Sequence, residues 1–203
     1  MPLARRAGDR FTYSDYLTWS DEERWELLDG ELYAMTPAPT TGHQRVVGRL
    51  YRELANALEG GDCIPFVSPV DVVLSESTVV QPDVVVVCDR AKIRPNGIFG
   101  APDLVVEVLS PSTGLKDRGA KRDLYECYGV REYLLLEPEA RYGERFALGA
   151  DGTYGRGALH GPGEIVELAS LQGLRLRLWE VFEVPGPAAR GEVPEGPGRS
   201  PRA

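Results

Sequence analysis

Asp83 and Glu107 each place a carboxylate on a stretch otherwise built for a sheet interior. Asp83 follows Gln81-Pro82 and opens DVVVVC (83–88), a near-continuous β-branched run of the kind found in strands covered on both faces. Glu107 sits inside DLVVEVL (103–109). Alternation there puts Asp103, Val105, Glu107 and Leu109 on one face and Leu104, Val106, Val108 and Ser110 on the other. An ionised carboxylate among such neighbours is costly unless it is paired or binds a cation. Two acids on consecutive strands also repel each other, and a hard divalent cation with oxygen ligands would resolve both problems. The plainer readings are a salt bridge or a half-exposed edge strand for Glu107, and a turn or cap role for Asp83 after its proline.

A lysine follows at helical spacing. Asp117, Lys121 and Tyr125 stand at i, i+4 and i+8 in KDRGAKRDLYECYG, which reads as a helix ending at Gly129. The Asp117–Lys121 pair could be a surface ion pair. If the helix packs back over the strand, Lys121 reaches the acids and can orient or deprotonate a water.

The elements that must position these groups are legible in outline. Thr12, with Asp15 three residues on, caps a short helix over TYSDYLTW. Asp29-Gly30, in RWELLDGELYAM, is a type I′ hairpin signal. Residues 42–60 carry Val46, Val47, Leu50, Leu54, Ala57 and Leu58 on one helical face, with His43 in the first turn and Gly60-Gly61 as the stop. Strands are expected at CIPFVS (63–68), VDVVL (70–74), DVVVVC and DLVVEVL, with RAKIRPNGIFGAP as a loop between the last two. REYLLLEP is a further strand, Asp151-Gly152 a turn, and Trp179 to Phe182 a helical turn after more strands. The order predicts one α/β (α+β) domain over 11–184, a mixed sheet flanked by helices with additional antiparallel strands. Residues 1–10 read as a loose leader and 185–203 as a disordered Pro/Gly-rich tail.

Composition narrows the class. No run approaches the 18 apolar residues of a membrane span, and MPLARRAGDR lacks the apolar core of a signal peptide, so a cytoplasmic protein is expected. Cys63, Cys88 and Cys127 lie far apart with no CxxC pair. They support neither a zinc knuckle nor a disulfide framework, and Cys88 reads as a small buried hydrophobe. A net charge of −8 on its own argues against a nucleic-acid binder, because phosphate contacts need a basic footprint. Grooves are local, however, and residues 116–122 hold four basic groups against one acid, with Arg90, Lys92 and Arg94 as a second small cluster.

The PD followed by an acid in the next strand resembles the PD-(D/E)XK, or restriction-endonuclease-like, superfamily. The longer text ELLDGELYAMTPAPTTGHQ, QPDVVVV, PDLVVEVLSPST and KRDLYECYGVREYLLL is similar to the Uma-type family of restriction-endonuclease-like proteins, over about residues 11–180. The resemblance implies a four-stranded mixed core sheet with helices on it and Mg²⁺ or Mn²⁺ at the acids. Asp83 matches the PD acid and Glu107 the (D/E). The pattern's lysine falls where this chain has Leu109, so Lys121 on the next helix is the expected substitute. His43 and Glu31 also fall in matching stretches, His43 as an auxiliary ligand or acid/base group or a solvent-facing helix residue, Glu31 as a site acid or a turn-flanking charge.

What this implies is metal-dependent hydrolysis of phosphodiester bonds, in DNA more than RNA. Asp83, Glu107 and the Val108 carbonyl would be ligands, and Lys116, Arg118 and Arg122 would contact backbone phosphates. A homodimer is expected with it. The alternative is a non-catalytic nuclease-like module that binds nucleic acid or a protein, which Leu109 and the acidic charge favour. A purely structural Glu107, paired to Arg or Lys, is the third reading.

Overall fold

The structure, a computed structural model, describes residues 9–19, 24–35, 38–111 and 114–187. Most of the expected leader and tail, residues 1–8 and 188–203, lies outside the described residues, as do Ser112 and Thr113.

Thr12 opens α1 (Tyr13–Tyr16) with a capping box: its hydroxyl accepts from the Asp15 N–H, and the Asp15 carboxylate accepts from the Thr12 N–H. The strands β1 (Trp25–Leu28) and β2 (Glu31–Ala34) form a hairpin across Asp29-Gly30, whose φ values of 49° and 84° are the two positive angles a type I′ turn needs. Helix α2 (Thr41–Leu58) is capped by Thr40, whose hydroxyl accepts from the His43 N–H. Then come β3 (Ile64–Val67), β4 (Val72–Ser75), β5 (Thr78–Val80) and β6 (Val84–Val87).

Residues 90–102, expected as a loop, form a 3-10 turn (Arg90–Lys92) and two short strands, β7 (Ile93–Arg94) and β8 (Gly97–Phe99). Two and three residues are too few to show a period in the sequence, and β8 owes its place to parallel pairing with the distant β4. After β9 (Leu104–Val108) the expected single helix is composite: α3 (Gly114–Lys116), a π-helical turn (Asp117–Lys121) and α4 (Arg122–Cys127). The chain closes with β10 (Glu132–Glu137), β11 (Tyr142–Ala147), β12 (Ala158–His160), β13 (Ile165–Leu168), β14 (Leu174–Arg177) and α5 (Leu178–Phe182).

Two six-stranded sheets result, in the orders β2-β1-β5-β4-β8-β7 and β12-β11-β10-β9-β6-β3, with β13-β14 as a separate ribbon. The second sheet is mixed. β9 and β10 run parallel, joined through the composite helix, while β6 and β11 flank them antiparallel. The four-stranded core that the family resemblance implies is therefore extended at both edges, by β3 and β12.

The central strands β6, β9 and β10 are covered on both faces, which is why they read as near-continuous apolar runs. Val84, Val86, Leu104, Val106 and Val108 pack on Val46, Val47, Leu50 and Leu54 of α2 and on Leu178 and Val181 of α5. Val85, Val87, Val105 and Leu109 face the other way, toward Val72, Val80 and Ile98 of the first sheet and Tyr125 of α4. Glu107 belongs by alternation to this second face, at a level where two sheets and a helix meet.

The cysteines correct the expectation. Cys63 and Cys88 form a disulfide. They flank the Ile64↔Val87 pair of the β3–β6 ladder, so the bond ties the edge strand to its neighbour. A separation of 25 residues with no local motif leaves the pairing invisible until the ladder register is known. Cys127 is free and exposed.

Candidate active site

Glu107 is 5% exposed and Lys121 3%. Lys121 Nζ donates to Glu107 Oε1 at 2.8 Å, and Tyr125 OH donates to the same oxygen at 3.2 Å. The π-helical turn has a physical consequence here. It puts Asp117 and Lys121 on its buried side and hands Tyr125, one α-turn later, to the same place. All three residues of the i, i+4, i+8 row thus face Glu107, with Lys121 Nζ 3.7 Å from Asp117 Oδ1.

A third acid joins them from the first sheet. Glu26 on β1 is fully buried, and its Oε1 lies 2.7 Å from Lys121 Nζ. It also accepts from the Gln81 N–H at 3.1 Å and, through Oε2, from Lys116 Nζ at 2.6 Å. Sequence reasoning passed over Glu26, although WELL carries the same signal as VVEV: a carboxylate inside an apolar strand. Glu31, the acid chosen from the hairpin, is exposed and hydrogen-bonded to Tyr33 OH at 3.3 Å. It lines a separate cavity with Leu28, Asp29, Asp123, Cys127 and Tyr128, away from the buried cluster.

Asp83 stands at the more open end, its side chain 20% exposed. Its Oδ2 accepts from the Val108 N–H at 2.8 Å and lies 3.2 Å from His43 Nε2. The backbone group of Val108 that engages Asp83 is thus its N–H rather than its carbonyl. His43 is not solvent-facing: α2 starts beside β6 and turns the ring inward, leaving Nδ1 buried without a hydrogen-bond partner.

The charges explain the proton affinities. Burial, together with Asp117, Asp83 and Glu26, outweighs the attraction of Lys121 and pushes the Glu107 carboxyl up to about 8. Burial would likewise raise Glu26, but two ammonium groups, Lys121 and Lys116, hold it down at about 2. Lys121 loses by burial yet is raised well above its ordinary value by Glu107, Glu26 and Asp117. Burial lowers His43, but Asp83 and the Val108 backbone more than offset this and raise it. Lys121 is therefore a firmly held cation, and Glu107 is the carboxylate left short of positive charge.

The basic segment is mostly committed to internal partners. Lys116 pairs with Glu26. Arg118 donates to Glu144 at 2.6 Å and to Tyr142 OH at 2.5 Å. Arg122 engages Asp123, Glu126 and the Phe146 ring.

Among the described residues no three His, Cys, Asp or Glu side chains are grouped as a ready-made metal cage. Mg²⁺ does not require one. It is held by one or two carboxylates and keeps water or substrate phosphate at its other positions. An under-compensated Glu107 and a partly open Asp83 supply oxygen donors of that kind, so the residues present fit a hard divalent cation.

Comparison with known proteins agrees with this architecture. Residues 13–178 match the model of the Uma2 family, described as "Putative restriction endonuclease". An "Uncharacterized protein slr1290" of Synechocystis sp. is 38% identical over 126 residues, which span 60% of this chain and 66% of that protein, just under two thirds. A crystal structure of a "putative nuclease belonging to DUF820" from Anabaena variabilis has a similar fold. Its TM-score is 0.70 at 16% identity, covering 85% of this chain and 98% of that one. The chain belongs to the Uma2 family. No described helix is long and apolar enough to cross a membrane.

Proposed function

We propose that this Uma2-family chain hydrolyses phosphodiester bonds of nucleic acid, DNA more than RNA. The observation that carries the reading is the meeting of Glu107 with Lys121, 2.8 Å apart and buried, beside an Asp83 that solvent can still reach.

The reaction needs a water to attack phosphorus, a proton removed from that water and a sugar oxygen to depart. Mg²⁺ or Mn²⁺ at Asp83 and Glu107, with the Val108 carbonyl as a further donor, would polarise the phosphate and acidify the water. Lys121, held charged by three acids, offsets charge that develops on the phosphate oxygens. Glu26 keeps Lys121 in place from the first sheet. His43 fixes the Asp83 carboxylate and can hold a proton next to it. Cutting as a homodimer, which the superfamily resemblance implies, is part of the proposal and is checked by light scattering.

A second reading, a nuclease-like module without catalysis, is favoured by one observation: Glu26, Glu107 and Asp117 all engage Lys121. The deciding experiment is cleavage of plasmid, linear and single-stranded DNA and of RNA with Mg²⁺ or Mn²⁺, comparing wild type with Asp83→Asn, Glu107→Gln and Lys121→Met. Cleavage by wild type and its loss in all three supports the nuclease. Absence of cleavage by wild type on every substrate overturns it in favour of the module.

A further inference from the structure

We propose that Arg24 is a substrate-binding residue that grips a phosphate of the nucleic-acid strand beside the candidate active site; this rests on the nuclease reading above.

Arg24 immediately precedes β1 and is exposed. Alternation along the strand puts it on the same side as Glu26, two residues on. Its guanidinium is held along one edge by neutral acceptors. Nε and Nη2 donate to Gln81 Oε1 at 2.9 and 2.6 Å, and Nη2 also donates to Ser68 Oγ at 3.1 Å. Both acceptors belong to the site's own framework. Gln81 gives its N–H to Glu26 and stands two residues before Asp83, and Ser68 gives its N–H to the Asp83 carbonyl at 2.9 Å.

Arg118, Arg131 and Arg145 each pair with a carboxylate. Arg24 has no such pair among the described residues. Arg90 and Arg94 also lack a carboxylate pair among the described residues, but Arg24 is the one held by Gln81 and Ser68, which bond in turn to Glu26 and Asp83. Asp71, across Gln81, takes its hydrogen bonds instead from Tyr16 OH at 2.9 Å and from Gln81 Nε2 at 2.7 Å. A guanidinium oriented by neutral groups keeps its full charge and a free face of its fork for an anion. The planar fork suits the two oxygens of a phosphodiester. Lys116 cannot serve in the same way, because Glu26 already neutralises it.

The test is fluorescence anisotropy with a duplex and a single strand of about 20 nucleotides, in chelator, between about 50 and 200 mM salt. It is run on the full chain with wild type, Arg24→Gln and Arg24→Lys, alongside Mn²⁺-dependent cleavage. Arg24→Gln is expected to bind about tenfold to a hundredfold more weakly at low salt. Its log–log salt slope on duplex should fall by about 0.9. Arg24→Lys, which keeps the charge but loses the fork, should restore the slope and recover only part of the affinity. Thermal melting reports whether Arg24→Gln is folded; if it is not, Arg24→Lys carries the test, and unchanged affinity for it overturns the proposal. Wild-type affinity and slope in a folded Arg24→Gln also overturn it, while cleavage by wild type would leave the nuclease reading standing. If wild type neither binds nor cleaves nucleic acid, both fall.

Discussion

Lys121 reaches Glu107 from a different element: the two are 14 residues apart in sequence, yet Nζ and Oε1 are 2.8 Å apart in a site where neither side chain is more than 6% exposed. Leu109, two residues after Glu107, is 4% exposed and packs in the apolar cluster with Tyr125 and Tyr133. The strand thus carries the acid and a packing residue, and the helix brings the cation.

That arrangement makes Lys121 hard to remove. Lys121→Met strands Glu107, Glu26 and Asp117 in a buried space, and should cost about 3–5 kcal/mol of unfolding free energy at neutral pH. Urea denaturation measures it. Adding Glu26→Gln to Lys121→Met should recover part of the loss, because Glu26 is ionised at neutral pH and one of the stranded charges is then gone. Equal stability for wild type and Lys121→Met would mean that the ammonium is not the partner the distances suggest.

Stability should depend on pH in a direction set by Glu107. Its folded pKa, about 8, lies above the ordinary carboxylate value of 4.5, so the folded protein holds the proton more tightly. The contribution is full below about 4.5 and is lost as pH rises through about 8. His43, also raised, adds to the same fall. Glu26 acts oppositely: depressed to about 2, it supports the fold above 4.5 and fails only in strong acid. Thermal melting in chelator should show the decline toward pH 8, and Glu107→Gln should flatten it. With Mn²⁺ added near pH 8, wild type should regain melting temperature and Asp83→Asn should not.

The two hairpin acids should separate cleanly. Glu26→Gln removes a buried carboxylate that touches Lys121, Lys116 and the Gln81 backbone. If the nuclease reading holds, its cleavage rate should drop about a hundredfold or more. Glu31→Gln alters an exposed side chain bonded only to Tyr33 among the described residues, and should cleave within about twofold of wild type. Parallel rate measurements on one plasmid substrate check both.

How these features were legible differs by their range along the chain. The Thr12–Asp15 capping box, the Asp29-Gly30 turn and the apolar face of α2 are local, and propensity and period reveal them. Glu107 is conspicuous because one charge breaks an apolar alternation. Glu26 breaks one too, but in a four-residue strand whose turn signal draws attention away to Glu31. The π-helical turn is hidden because KDRGAK also fits an α-helix, and the choice falls to packing against β9. Strands β7 and β8 exist only through their pairing with each other and with β4.

The disulfide is the most non-local feature, and its removal gives the last prediction. Cys63–Cys88 closes a loop of 25 residues that contains β3, β4, β5 and β6, so it joins an edge strand to the strand that Asp83 opens. A cross-link of that length restricts the unfolded chain and is worth about 3 kcal/mol. Cys88→Ala or reduction should therefore lower the melting temperature. The loss should come first at β3, whose sheet pairing is to β6 on one side only. Thiol alkylation of the native protein followed by mass spectrometry should label Cys127 alone before reduction and all three cysteines after it. Hydrogen exchange should then rise at Ile64–Val67 while Leu104–Val108, paired on both sides, stays protected. Labelling of three thiols without reductant would show that the bond is not formed. In that case the stability of β3 would rest on its ladder with β6 and on the contacts of Phe66 with the core.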